Sequence, residues 1–173
     1  LGGGGKRFAR GAEIGWDLDA QGSGADKAFF EGTLETNYVS DDSNDYSVDA
    51  VSGGIFDGLS GFDFDDGSGD SYSVGYPDVI EPATGGGTVS ALQYSNSVTA
   101  GVSSDALVVF GFPFETINQS SSRDAVMERV LRTLAGNYTG INTNTGGGGS
   151  SGGSGGGNDS GCSVDPTGML PLV

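Results

Sequence analysis

Residues 106–112, Ala-Leu-Val-Val-Phe-Gly-Phe, are the stretch whose reading decides the fold. The run is apolar almost throughout, as a strand covered on both faces requires. Downstream, Val126, Met127, Val130, Leu131 and Leu134 recur at i, i+1, i+4, i+5 and i+8 ahead of Gly136. That spacing predicts an amphipathic helix over residues 122–135, with Ser121 and Asp124 as a Ser-x-x-Asp variant of the capping box. Strand, turn and helix make half of a βαβ unit. The expected fold class is therefore α/β, with a β-rich section inserted or appended.

Working outward, residues 8–14 read as a short strand between a glycine run and Gly15, which suits a sharp exit. A loop, WDLDAQGSG, follows, then a helix over residues 25–34 weakened by Gly32. From Tyr38 to about Val102 the chain takes on β texture, short apolar segments broken by Gly, Asp, Ser and Asn. Strands are expected at 46–51, 62–64, 72–74, 89–94 and 98–102, the last two joined by turn residues 95–97. In YPDVIEP, Pro77 and Pro82 flank residues 78–81, which marks a loop or edge segment rather than a central strand.

The 173 residues carry 23 acidic against 7 basic side chains and no histidine, for a net charge of −16. Such a surface repels nucleic acid and anionic membranes. Without imidazole the chain cannot assemble a Ser-His-Asp or Cys-His site. No apolar run reaches 18 residues, so no membrane insertion is expected. The lone Cys162 excludes a disulfide or a Cys-based metal site from the domain. The acidic, Gly-rich, Lys-poor composition suits an extracellular or cell-surface bacterial protein, although halophilic cytosolic proteins look similar. We expect one domain over residues 1–140, a Gly/Ser-rich linker over 141–161 and a tail over 162–173, either a plain tail or a truncated sorting signal. The opening GGGGKRFARGAEIG reads like the turn and strand after a missing helix, so the chain is read as the C-terminal part of a larger domain.

Two segments carry the functional reading: GAEIG at 11–15 and VVFGFPFETI at 108–117. GAEIG resembles the Gly-x-Cys-x-Gly nucleophile elbow of class I glutamine amidotransferases, with Glu13 in the place of the thiol. GFPFE resembles their Phe-His-Pro-Glu stretch, with Pro113 in the place of the imidazole and Glu115 retained. Glutaminase activity is not expected from those substitutions. Over a longer span, GAEIGWDLD, GSGADKAFFEGTL, YVSDDSNDYSV, GIFDGLSGFDFDDG, YPDVIEP and VVFGFPFETI, followed by RDAVMERVL, resemble a secreted bacterial family often labelled xanthan lyase-like. The resemblance implies an amidotransferase-like or flavodoxin-like parallel sheet, its first strands and helices missing here, in large surface proteins near golvesin-type domains.

On this reading Glu13 and Glu115 sit at the carboxyl ends of neighbouring strands, with Asp17 and Asp19 nearby and Trp16 as a candidate sugar-stacking platform. Two close carboxylates suit glycoside hydrolysis, several suit a divalent cation, and each alone suits backbone capping. The expected function is a non-catalytic scaffold or glycan-binding module that partners polysaccharide and neighbouring domains of the parent chain. The alternative is a polysaccharide-active enzyme, hydrolase or lyase-like, using Glu13 and Glu115. The acidic runs at 41–45 and 63–70 lack the EF-hand spacing and read as solvated turns, with irregular calcium binding as the alternative. No cofactor motif or metal site is expected.

Overall fold

The computed structural model describes residues 5–136. The described strands are β1 (Arg7–Arg10), β2 (Thr36–Ser40), β3 (Ser47–Ala50), β4 (Phe62–Asp63), β5 (Val79–Pro82), β6 (Val89–Tyr94), β7 (Thr99–Ser104) and β8 (Leu107–Phe110). Helices α1 (Gly24–Gly32) and α2 (Ser120–Ala135) accompany them, with a π-helical turn at Trp16–Ala20 and a 3-10 turn at Phe114–Thr116. Six strands form one mixed sheet in the order β1-β8-β7-β6-β3-β4, while β2 and β5 pair separately. The expectations for the linker (141–161), the tail (162–173) and Cys162 lie outside the described residues.

This architecture overturns the expected parallel, amidotransferase-like α/β sheet. Among the described strands only β1 and β8 run parallel, with Arg7 opposite Leu107 and Arg10 opposite Phe110. Every other pairing is antiparallel. The cause lies in the connections. Short turns join β6 to β7 and β7 to β8, and such links can only return the chain antiparallel, whereas parallel neighbours need a crossover of a dozen residues or more. The stretch read as an insertion supplies β3, β4, β6 and β7, most of the main sheet.

All four residues of β8 are buried, as the apolar run demands, and they feed two cores. Val108 and Phe110 point into the larger one with Phe56, Phe64, Tyr94 and Phe112, closed by Val126 and Val130 of α2. Its centre is an aromatic stack. Phe112 lies 5.0 Å from Phe110 at 6° and 5.0 Å from Phe64 at 15°, geometry that adds to the area each ring removes from water. Leu107 and Val109 point the other way, onto Phe30, Leu34, Ile80 and Val102. The second face of β8 is thus covered by α1 and β5, with Val102 of the neighbouring β7 on the same side.

Several local elements differ from the sequence expectation. The capping box belongs to α1, where Ser23 N–H donates to Asp26 Oδ2 at 2.9 Å and Asp26 N–H to Ser23 Oγ at 3.4 Å. Helix α2 starts at Ser120 after Gln119 and has no side-chain cap. Residues 72–74 form no strand, and β1 stops at Arg10. YPDVIEP contributes β5, an edge strand in a two-stranded sheet. Among the described residues no helix is long and apolar enough to cross a membrane.

Candidate functional site

The parallel pairing of β1 with β8 brings the exits GAEIG and GFPFE together, and Asp78 binds them. Its backbone N–H donates to Ala12 O at 2.9 Å and to Gly111 O at 2.8 Å. Its Oδ2 accepts the Gly15 N–H at 2.6 Å, and the buried Tyr94 hydroxyl donates to Asp78 O at 2.9 Å. The approach is close enough to require glycine at 111 and to crowd any side chain at 15. A Cβ on Gly111 would stand 2.3 Å from Asp78 O, and one on Gly15 would stand 3.2 Å from Asp78 Oδ2.

Asp78 is fully buried, and its Oδ1 has no hydrogen-bond partner among the described residues. Burial pushes its carboxyl from an ordinary 3.8 up to about 7, opposed by the Gly15 and Trp16 amides and reinforced by the charges of Glu13 and Asp41. Glu13, half-buried in the turn after β1, is also raised, first by burial and then by Asp41 and Asp17. Asp41, just past β2, likewise has an unpartnered buried Oδ1.

The two carboxylates singled out in the sequence have separate neighbours. Glu115, exposed in the 3-10 turn, pairs with Arg10 Nη1 and accepts the Tyr72 hydroxyl at 3.1 Å. Glu13 has only acidic company, Asp17 and Asp41. Asp17 is exposed on the π-helical turn. Asp19 is buried there and acts as a structural tie, accepting Lys27 Nζ at 2.6 Å and Tyr38 N–H at 3.0 Å. Trp16 is half-buried and stands edge-on to Tyr38, with ring centroids 6.1 Å apart at 61°.

A cleft of about 500 Å³ opens beside Glu115, lined also by Asp70, Ser71, Phe114, Thr116, Asn118 and Arg123. One wall is the segment after β8, fastened where Asp65 N–H donates to Thr116 O and Asn118 N–H donates to Asp63 O, both at 2.9 Å. Arg123 Nη1 donates to the Ile117 carbonyl, which closes the base. The other wall is the acidic loop after β4, wrapped around Asp65. That carboxylate accepts Gly67 N–H at 2.7 Å, Gly69 N–H at 3.0 Å and Ser71 N–H at 2.8 Å, and these bonds hold it below the usual carboxylate range. The wrapping presents Tyr72 to Glu115.

Asp42, Asp45 and Asp66 of the two acidic runs are tied down in the same way. Asp42 accepts Asn44 N–H, Asp66 accepts Ser68, and Asp45 accepts Ser47, Ser95 and Asn96. Among the described residues no group of three acidic, Cys or His side chains is placed to hold a metal ion. Sequence reasoning missed Asp41, Asp65, Tyr72 and Asp78. The available signal for Asp78 was a lone charge leading into the apolar Val79 and Ile80. No family model, curated protein or solved structure matches the chain.

Proposed function

We propose that the domain is a non-catalytic glycan-binding module of a secreted or cell-surface protein, and that the sugar occupies the cleft beside Glu115. The observation that carries this reading is the cleft itself. Its volume suits one or two sugar rings, and Asp70, Ser71, Glu115 and Asn118 offer acceptors and donors matched to hydroxyls. Arg10 and Tyr72 fix the Glu115 carboxylate in advance, which lowers the ordering cost of binding.

The non-catalytic part rests on the separation of partners. Glycoside hydrolysis needs two carboxyl groups about 5–10 Å apart flanking one bond. Glu13 and Glu115 share no charge neighbour or hydrogen-bond partner, and the chain has no histidine to replace either. Placement outside the cell rests on the acidic composition and on the family resemblance of the sequence.

Isothermal titration with a panel of neutral oligosaccharides tests the reading. Saturable heat is expected from at least one, weakened about tenfold by Glu115→Gln or Asn118→Ala through lost hydrogen bonds. Heat from none would refute binding. Release of reducing ends that disappears in Glu115→Gln would instead make the protein an enzyme.

A further inference from the structure

Strand register sets two acids opposite each other. After a shift between Tyr38 and Ser40, the β2–β5 ladder ends with Ser40 opposite Val79, and just past it Ser43 N–H donates to Pro77 O at 2.8 Å. Asp41 and Asp78 hold the positions between, and residues so placed across an antiparallel pair share a face, with Cβ atoms about 4.5–5.5 Å apart. Asp78 is fully buried and Asp41 half-buried. The Oδ1 of each is buried without a hydrogen-bond partner among the described residues. Two carboxylates facing each other there would repel, and each bare oxygen would lack a donor. One proton between them removes both costs.

No cation takes the place of that proton. Around Asp78 stand Glu13 from the turn after β1, the Gly15 and Trp16 amides, the Tyr38 ring from β2 and the Tyr94 hydroxyl from β6. Asp17 acts on Glu13, and Asp42 and Asp45 act on Tyr94, all with negative charge. On the α1 side, Lys27 is paired with Asp19 and Glu31, and Asp19 also accepts the Tyr38 N–H at 3.0 Å.

We propose that Asp78 Oδ1 carries a proton and donates a hydrogen bond to Asp41 Oδ1, and that this shared proton fastens the end of the β2–β5 pair as a pH-sensitive clasp. Asp78 passes the fastening on. It holds the turn after β1 through the Gly15 N–H at 2.6 Å, and it reaches the exits of β1 and β8 through Ala12 O and Gly111 O. Burial, the largest influence, raises the Asp78 carboxyl to about 7, so the fastening is complete below about pH 4 and lost as pH rises through about 7. Ionised, the pair sets two negative charges across one position of the ladder, where Asp78 has no access to water, and hydrating them requires the strands to part. The segment that leads to Asp78 starts near Tyr72, on Glu115 at the cleft, yet the clasp works without a ligand and is tested apart from the glycan reading.

Amide hydrogen exchange of the full chain, followed by NMR between about pH 5 and about pH 8.5 and corrected for the intrinsic rate, tests the clasp. Gly15 and Ser43, whose amides donate across the joint, are expected to lose protection by about tenfold or more as pH passes about 7. Phe64, whose amide donates to Tyr46 O in the other core, should keep its protection within about twofold. Asp78→Asn and Asp41→Asn each put a permanent donor between the two side chains, so either variant should stay fastened throughout and lose the step. Glu81→Gln, exposed on β5, removes one charge outside the joint and should keep it. If Asp78→Asn does not fold, Asp41→Asn decides. The clasp is overturned if Gly15 and Ser43 stay protected at the highest pH, if Phe64 opens as much as they do, if the step survives in Asp41→Asn, or if Glu81→Gln abolishes it equally.

Discussion

Asp78 and Gly15 are joined by a 2.6 Å hydrogen bond across 63 positions of sequence, from the backbone N–H of Gly15 to a carboxyl oxygen that solvent does not reach. The contact couples the fold to acidity. The groups facing Asp78 are Glu13 from the turn after β1, Asp41 from the end of β2, the Gly15 and Trp16 amides, and the Tyr94 hydroxyl on its carbonyl. None supplies positive charge, so the folded domain favours the protonated carboxyl.

The first prediction concerns pH. A carboxyl at about 7 when folded and near 3.8 when unfolded contributes stability that is complete below about pH 4 and lost as pH rises through about 7. Stability is expected to increase by roughly 2–3 kcal/mol from pH 7.5 to pH 5. Raised Glu13 acts in the same direction. The lowered Asp45, Asp65 and Asp66 act oppositely, contributing stability that disappears as pH falls below about 4. Urea midpoints across this range check the sign. Asp78→Asn should flatten the curve between pH 5 and 7.5, and an unchanged slope in that variant would refute the assignment.

A second prediction follows from the close approach at Gly111. A methyl group there meets the Asp78 backbone at 2.3 Å, and backbone cannot rotate away. Gly111→Ala should cost roughly 3 kcal/mol or more. Gly24→Ala, with nothing near its Cβ, should be neutral or slightly stabilising in helix α1. Chemical denaturation of the pair measures the contrast, and equal midpoints would contradict the packing described.

Asp65 supplies the third. With the carboxylate that accepts from three amides removed in Asp65→Ala, the loop over residues 66–73 should open, and hydrogen exchange at Gly67, Gly69 and Ser71 should accelerate by about tenfold or more. Asp65→Asn keeps one acceptor oxygen and should protect an intermediate number of amides. Tyr72 would lose its hold on Glu115, so any sugar bound in the cleft should weaken as well.

Much of the strand content was legible because it is written locally. Strand β6 has the bounds that the pattern over residues 89–94 predicts, and Ser97, at φ +74°, sits in the turn expected after it. ALVVFGF announced burial on both faces, and β8 has it. An apolar run does not record which neighbours cover it. The step from one buried strand and one helix to a parallel α/β sheet failed there, because short antiparallel turns and a two-stranded cover satisfy the same pattern. At the site, the adjacency of the two strand exits was readable, while the directions of their carboxylates were not. Glu115 is claimed by Tyr72 and Arg10, 43 and 105 positions away. Asp78, enclosed between prolines in an apparent loop, takes its burial from residues 12, 15 and 111.

The placement of β1 against β8 also bears on how the protein is made. The first described strand has its only sheet neighbour near the far end of the domain, Arg7 opposite Leu107. During synthesis on a ribosome it must wait, unpaired, while the hairpins from β6 to β8 form beside one another. Closing so large a loop is an entropic toll met late, after local pairings are in place. The apolar side of Phe8 is therefore a surface a chaperone would meet on the nascent chain, and it packs against the core only when the final strand arrives.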